Sequence, residues 1–183
     1  MSAALHSEFY PCQGRKNVQE PLVLVHGWGN DSRVWQPLLP LLAAHLDVIT
    51  LDLPGFGQSP PCASWPQAVE LMATALPQRF ALLGWSLGGM LAVQVAAQYP
   101  ERVSKLATIA SNAVFVRCAD WHCAMPVEVA AQFAQSFAAD SAAAMKQFTA
   151  LEAMGDGEER NCCAGCVRIW LTSIPNLGCR LWD

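Results

Sequence analysis

The sequence predicts an α/β fold in which a mostly parallel sheet carries a helical cap, and three features point there. Apolar stretches of strand length at 21–25, 47–51, 80–83 and 105–110 alternate with segments of helical pattern, the order that builds parallel sheets from strand–helix–strand units. Glycine-rich turns follow the strand ends, where open sheets of this class place their chemistry. From about Asn112 the strand pattern stops and apolar residues recur at helical intervals. The chain is therefore expected to divide into a sheet-bearing core over 1–111, a helical cap over 112–160 and an aberrant cysteine-rich tail over 161–183.

In chain order, 8–10 is expected as an edge strand and 21–25 as a buried strand ending in His26-Gly27-Trp28-Gly29. Glycines on both sides of Trp28 allow a tight loop whose backbone can approach a ligand. His26 is read as a core histidine that fixes this loop rather than as a base. Asn30, Asp31 and Ser32 are N-cap candidates for a helix reaching Ala44, weakened or split by Pro37 and Pro40. The strand at 47–51 leads into Asp52-Leu53-Pro54-Gly55-Phe56-Gly57-Gln58-Ser59, a loop in which Asp52 is read as a fixing carboxylate. A helix is expected over 64–76. In the cap, Val129, Phe133 and Phe137 share one helix face, and Asp140 can cap a second helix carrying Met145, Phe148, Leu151 and Met154.

The chemistry centres on Gly84-Trp85-Ser86-Leu87-Gly88-Gly89, which follows an apolar strand and opens an apolar helix without a breaker until Pro100. This spacing suits a nucleophile elbow: Ser86 stands at a strained strand-to-helix turn that small neighbours make possible. The helix start directs free N–H groups toward the same place, where the oxyanion of an attacked carbonyl can be stabilised. Leu87 N–H is the expected first donor and Trp28 N–H the second.

Composition narrows the alternatives. Hydrophobic residues make up 53% of the 183 residues, ample for a core, and a net charge of −4 gives no reason to expect nucleic acid or an anionic membrane as partner. No stretch approaches the ~20 apolar residues of a membrane span, and the first residues lack a signal-peptide pattern; the cytosol is the expected location. The eight cysteines are read as free thiols. Cys163 and Cys166, even with Cys118, His122 and Cys123, lack a recognised zinc spacing, so no metal is expected.

The motifs Val25-His26-Gly27-Trp28-Gly29, Leu51-Asp52-Leu53-Pro54-Gly55-Phe56-Gly57, Gly84-Trp85-Ser86-Leu87-Gly88-Gly89 and Tyr99-Pro100-Glu101-Arg102-Val103 resemble the α/β-hydrolase fold. Trp28, Trp85 and the cap sequence Phe148-Thr149-Ala150-Leu151-Glu152-Ala153-Met154-Gly155 are similar, more narrowly, to the pimeloyl-acyl-carrier-protein methyl ester esterases of biotin synthesis. That resemblance implies Ser86 as nucleophile, Trp28 and Leu87 as oxyanion donors, and Phe148, Thr149, Ala150, Leu151 and Glu152 as further substrate contacts. It implies hydrolysis of a methyl ester at the distal end of a pimeloyl chain on acyl carrier protein, with no metal or organic cofactor; a monomer is expected if the chain is soluble. The family docks its acidic carrier through basic cap residues, in which this cap is poor, with Lys146, Arg160 and Arg168.

Two departures accompany the resemblance. In this fold the acid and the histidine follow the nucleophile in the chain, yet no histidine occurs after His122, so no triad acid or base is assigned and the chain by itself is expected to be nearly inactive. With the last strands of the fold missing, the flank of the strand at 105–110 is expected to be an exposed apolar edge. From Asn161 the pattern dissolves into Asn-Cys-Cys-Ala-Gly-Cys, as a shifted reading frame of leucine-rich coding sequence would give; a short paralogue with an unusual tail is the alternative. A generic short-chain esterase, a perhydrolase or a carbon–carbon bond hydrolase could share Ser86, and a non-catalytic acyl-binding protein remains a second class.

Overall fold

A computed structural model describes residues 4–16 and 18–154; the readings made for 155–183, including Arg160, Arg168 and the cysteine-rich tail, lie outside the described residues. Among the described residues five strands form one sheet: β1 Ser7–Tyr10, β2 Leu22–Val25, β3 Val48–Leu51, β4 Phe80–Trp85 and β5 Val103–Ile109, in the order β1-β3-β2-β4-β5. β1 runs antiparallel to β3, and every other pairing is parallel. Among the described residues no helix is long and apolar enough to cross a membrane.

The unbroken apolar run of β2 follows from its central place. Successive side chains of a strand point to opposite faces, and both faces here are covered. Val23 and Val25 join Leu51, Leu82 and the inner sides of α2 (Trp65–Ala75) and α3 (Leu87–Gln98), including Val69, Met72, Leu91 and Val95. Leu24 points the other way, into a cluster with Val48, Trp35 and Leu39. The Ser64 hydroxyl caps α2 by accepting from Gln67 N–H at 3.4 Å.

The segment after β2 is split, as its two prolines allow. Asp31 caps a short 3-10 turn, Ser32–Trp35, and α1 is confined to Leu39–Ala43 with Pro40 in its first turn. Proline lacks an N–H, so it interrupts a helix interior but is tolerated at the start, where that donor has no helical partner.

Beyond β5 lie two isolated bridges, Val116 with Met125 and Cys118 with Trp121, and then α4 (Val127–Ala139) and α5 (Ser141–Glu152). Asp140 ends one helix and caps the next, its Oδ1 accepting from Ala143 N–H at 3.0 Å. Phe137 and Met145 are buried, whereas Val129, Leu151 and Met154 are exposed. Met145, Phe148 and Leu151 lie on the expected second helix, but not on one face. Steps of three residues fall about 60° short of a full turn in a helix of 3.6 residues per turn, so the series rotates away from the core, and α5 ends before Met154.

β5 forms the sheet margin among the described residues, pairing there with β4 alone. Its residues from Lys105 onward are exposed, Leu106 at 41% and Ile109 at 48%.

Candidate active site

The apolar β4 runs to Trp85, and α3 begins at Leu87, leaving Ser86 to make the whole change of direction with φ 53° and ψ −118°. A non-glycine residue in that region carries about 1–3 kcal/mol of backbone strain and persists only where its surroundings impose it. Ser86 N–H donates to Ile109 O at 2.9 Å, and Ser86 O accepts from Gly89 N–H at 2.9 Å and Met90 N–H at 3.2 Å. The glycines at 84 and 88 are required by close approach. A Cβ on Gly84 would overlap the Gly88 carbonyl, and one on Gly88 would overlap the carbonyls of Val25 and His26.

Those contacts bring the loop after β2 against the elbow. Val25 pairs in register with Gly84, and a Cβ on Gly27 would lie 3.3 Å from Ser86 Cβ. Trp28 and Leu87 are buried and Ser86 is half-buried, so the three residues that the sequence singled out for nucleophile and oxyanion hole share one neighbourhood.

The Trp28 ring is gripped from α4 and α5. It meets Phe133, Phe137 and Phe148 edge-on, with centroids 5.5, 5.2 and 5.2 Å away, an arrangement worth about 0.5–1.5 kcal/mol per aromatic pair beyond area burial. Met145 closes over Gly29, where any Cβ would overlap its side chain. The expected substrate segment behaves unevenly. Phe148 reaches the aromatic cluster. Thr149 is buried with its hydroxyl donating to Met145 O and Lys146 O, each at 3.1 Å. Ala150, Leu151 and Glu152 are exposed. The Glu152 carboxyl is pushed up to about 7 by burial although the residue as a whole is exposed; water reaches it, and we give it no part in proton transfer.

His26 is fully buried and both ring nitrogens are occupied: Nε2 accepts from Leu53 N–H at 2.9 Å and Nδ1 donates to Gly27 O at 2.8 Å. An imidazole accepting at one nitrogen and donating at the other is neutral, in keeping with the lowering of its pKa by burial. It therefore ties the Trp28 loop to the loop after β3 and has no lone pair for Ser86. Asp52 also fixes loops, accepting from Ser32 N–H at 2.8 Å and Gln58 N–H at 2.9 Å. None of the four histidines hydrogen-bonds Ser86 among the described residues, and no cluster there is arranged to hold a metal.

A polar cleft of about 310 Å³ lies elsewhere, at the β1–β3 margin, lined by Glu8, Tyr10, Asp31, Arg33, Asp52 and Gln58. Arg33 is ion-paired to Asp31 at 2.6 Å, which raises its pKa. This cleft excludes Ser86, Trp28 and Leu87 and is distinct from the elbow. One contributor to the elbow was not legible beforehand: Ser111, whose hydroxyl donates to Ser86 O at 2.9 Å. A serine just after a strand carries no signal of its own.

A serine at a strained turn between a parallel strand and a helix, beside a glycine-flanked loop, in a mostly parallel sheet, defines a protein of the α/β class. The chain belongs to the α/β hydrolase fold family, whose sequence pattern it matches over residues 20–150. It is 48% identical over 141 residues to the biotin biosynthesis bifunctional protein BioHC of Cellvibrio japonicus, covering 76% of this chain and 28% of that one. It is 40% identical over 158 residues to the pimeloyl-[acyl-carrier protein] methyl ester esterase of Aeromonas hydrophila, covering 84% and 61%. The chain thus spans less than two thirds of the length of these relatives. Among solved structures, an esterase from Exiguobacterium antarcticum superposes with a TM-score of 0.74 at 19% identity, covering 93% of this chain and 65% of that one. The enol-lactonase from Burkholderia xenovorans gives 0.72 at 22%, covering 92% and 64%. At those identities the likeness concerns the fold.

Proposed function

We propose that this chain carries the nucleophile half of a serine carboxylesterase acting on a pimeloyl methyl ester borne by acyl carrier protein. The observation that carries the reading is Ser86 at φ 53°, ψ −118° with the Trp28 loop packed against it. The name of the Aeromonas relative favours this substrate over other esters, and that of the Cellvibrio relative speaks of biotin biosynthesis.

In the proposed reaction, Ser86 Oγ attacks the ester carbonyl carbon, methanol leaves with a proton, and water then cleaves the acyl–Ser86 bond to free the carboxylate. The negative charge on the carbonyl oxygen would be met by the N–H groups of Trp28 and Leu87; one such donor is commonly worth about 10²–10³ in rate. The apolar chain would lie toward Phe148 and the Trp28 ring. The base that accepts the Ser86 proton is not among the described residues. Loss of triad members lowers rates by roughly 10⁴–10⁶, so slow turnover by residues 1–183 alone is expected.

The test is methanol release from pimeloyl-acyl-carrier-protein methyl ester, compared with hydrolysis of p-nitrophenyl acetate. Slow, saturable release that Ser86→Ala removes is the expected result. Release that survives the substitution contradicts the nucleophile. Hydrolysis of the acetate with none of the carrier-borne ester points instead to a generic short-chain esterase.

A further inference from the structure

The peptide joining Ser86 to Leu87 is held on its oxygen side by a residue from outside the elbow, and we propose that Ser111 is a positioning residue for the Leu87 N–H. This rests on the reading of Leu87 as an oxyanion donor. Ser111 Oγ donates to Ser86 O at 2.9 Å, an oxygen that also accepts from Gly89 N–H and Met90 N–H. A trans peptide is planar, so the direction of the Ser86 C=O sets the direction of the Leu87 N–H across the same bond. The two α3 donors draw that oxygen along the helix, and the hydroxyl adds a restraint from β5. A hydrogen bond accepted by the carbonyl also polarises the amide and strengthens its N–H as a donor.

The fold delivers Ser111 to this place by a specific route. β5 ends at Ile109, whose carbonyl accepts from Ser86 N–H at 2.9 Å. Ala110 then takes a left-handed φ of 47°. Ser111 Oγ arrives only 2.5 Å from the point a Cβ on Gly89 would occupy, so the second glycine of the Gly88-Gly89 pair makes room for it. The end of β5 thus holds Ser86 on both sides, at its N–H through Ile109 and at its carbonyl through Ser111. A serine that merely closed the end of a strand would not need to reach the one carbonyl whose peptide bears the oxyanion donor.

The test measures the Leu87 amide and the kinetics in the same variants. In S111A the Leu87 ¹⁵N resonance is expected to move upfield more than any amide outside residues 85–90, and S111T, which keeps the hydroxyl, is expected to reverse most of that displacement. Ester hydrolysis is expected to lose about tenfold in kcat with little change in KM, as follows when only transition-state stabilisation is weakened. A Leu87 resonance unchanged in S111A, or kcat and KM altered together, overturns the proposal. If the parent protein hydrolyses no ester, the esterase reading fails while the amide resonance still decides the role of Ser111.

Discussion

At the scale of single residues, His26 shows how burial assigns a role. Its ring is enclosed, edge-on to Phe56 with centroids 5.6 Å apart, and burial lowers its pKa from the ordinary 6.5. The unfolded chain binds a proton at His26 near pH 6.5, whereas the folded chain binds it only at lower pH. Below that value the unfolded state holds more protons, so stability declines as pH falls, by up to about 1.4 kcal/mol per pH unit; above it His26 contributes no slope. Urea midpoints measured across that range are expected to fall less steeply in His26→Gln, which can still accept from Leu53 N–H, than in the parent. Equal slopes would mean that His26 is not held neutral. The same residue shows what sequence can supply. A histidine between an apolar strand and a glycine could be read as a loop anchor, but its partners on the loop after β3 depend on a strand pairing that short-range pattern does not specify. Ser111 was illegible for the same reason, since its partner lies 25 positions away.

Among the elements, the strands and the elbow were legible because each has a local cause. Val23, Leu24 and Val25 form an unbroken apolar run because β2 is covered on both faces, and Gly84 and Gly88 are dictated by backbone contact at the turn. The helices after β5 were less so. Phe133 and Phe137 lie on one face and meet Trp28 as helical spacing implies, while Leu151 rotates out to solvent because a three-residue repeat drifts around the helix, and Met154 lies beyond the end of α5. Asp140 was identifiable from its position between the two helical patterns. Asp140→Ala is expected to remove about 1 kcal/mol, the usual worth of an N-cap, with faster hydrogen exchange at Ala143 N–H. Exchange there that matches the parent would show that the Asp140 carboxylate does not hold the first turn of α5.

For the molecule as a whole, the sheet of the described residues has an edge at each margin, β1 beside β3 and β5 beside β4. The open margin at β5 leaves Leu106 and Ile109 exposed, although strands of parallel sheets are ordinarily covered on both faces. That exposure fits a chain spanning 61% of its Aeromonas relative. The elbow lies on β4 and α3, one strand inward from the open margin, and draws its restraints from β2, the end of β5 and the helices α4 and α5, so its geometry is specified by the residues described. The most direct measurement is competitive labelling with a fluorophosphonate, followed by peptide mapping with mass spectrometry. With no base described beside it, Ser86 keeps only the help of the Trp28 and Leu87 N–H groups, about 10²–10³ in rate per donor. The predicted result is therefore that Ser86 is modified slowly but faster than every other serine in the folded protein and at the unfolded rate in urea; Ser86 modified no faster than Ser32 or Ser104 in the folded protein would contradict the account.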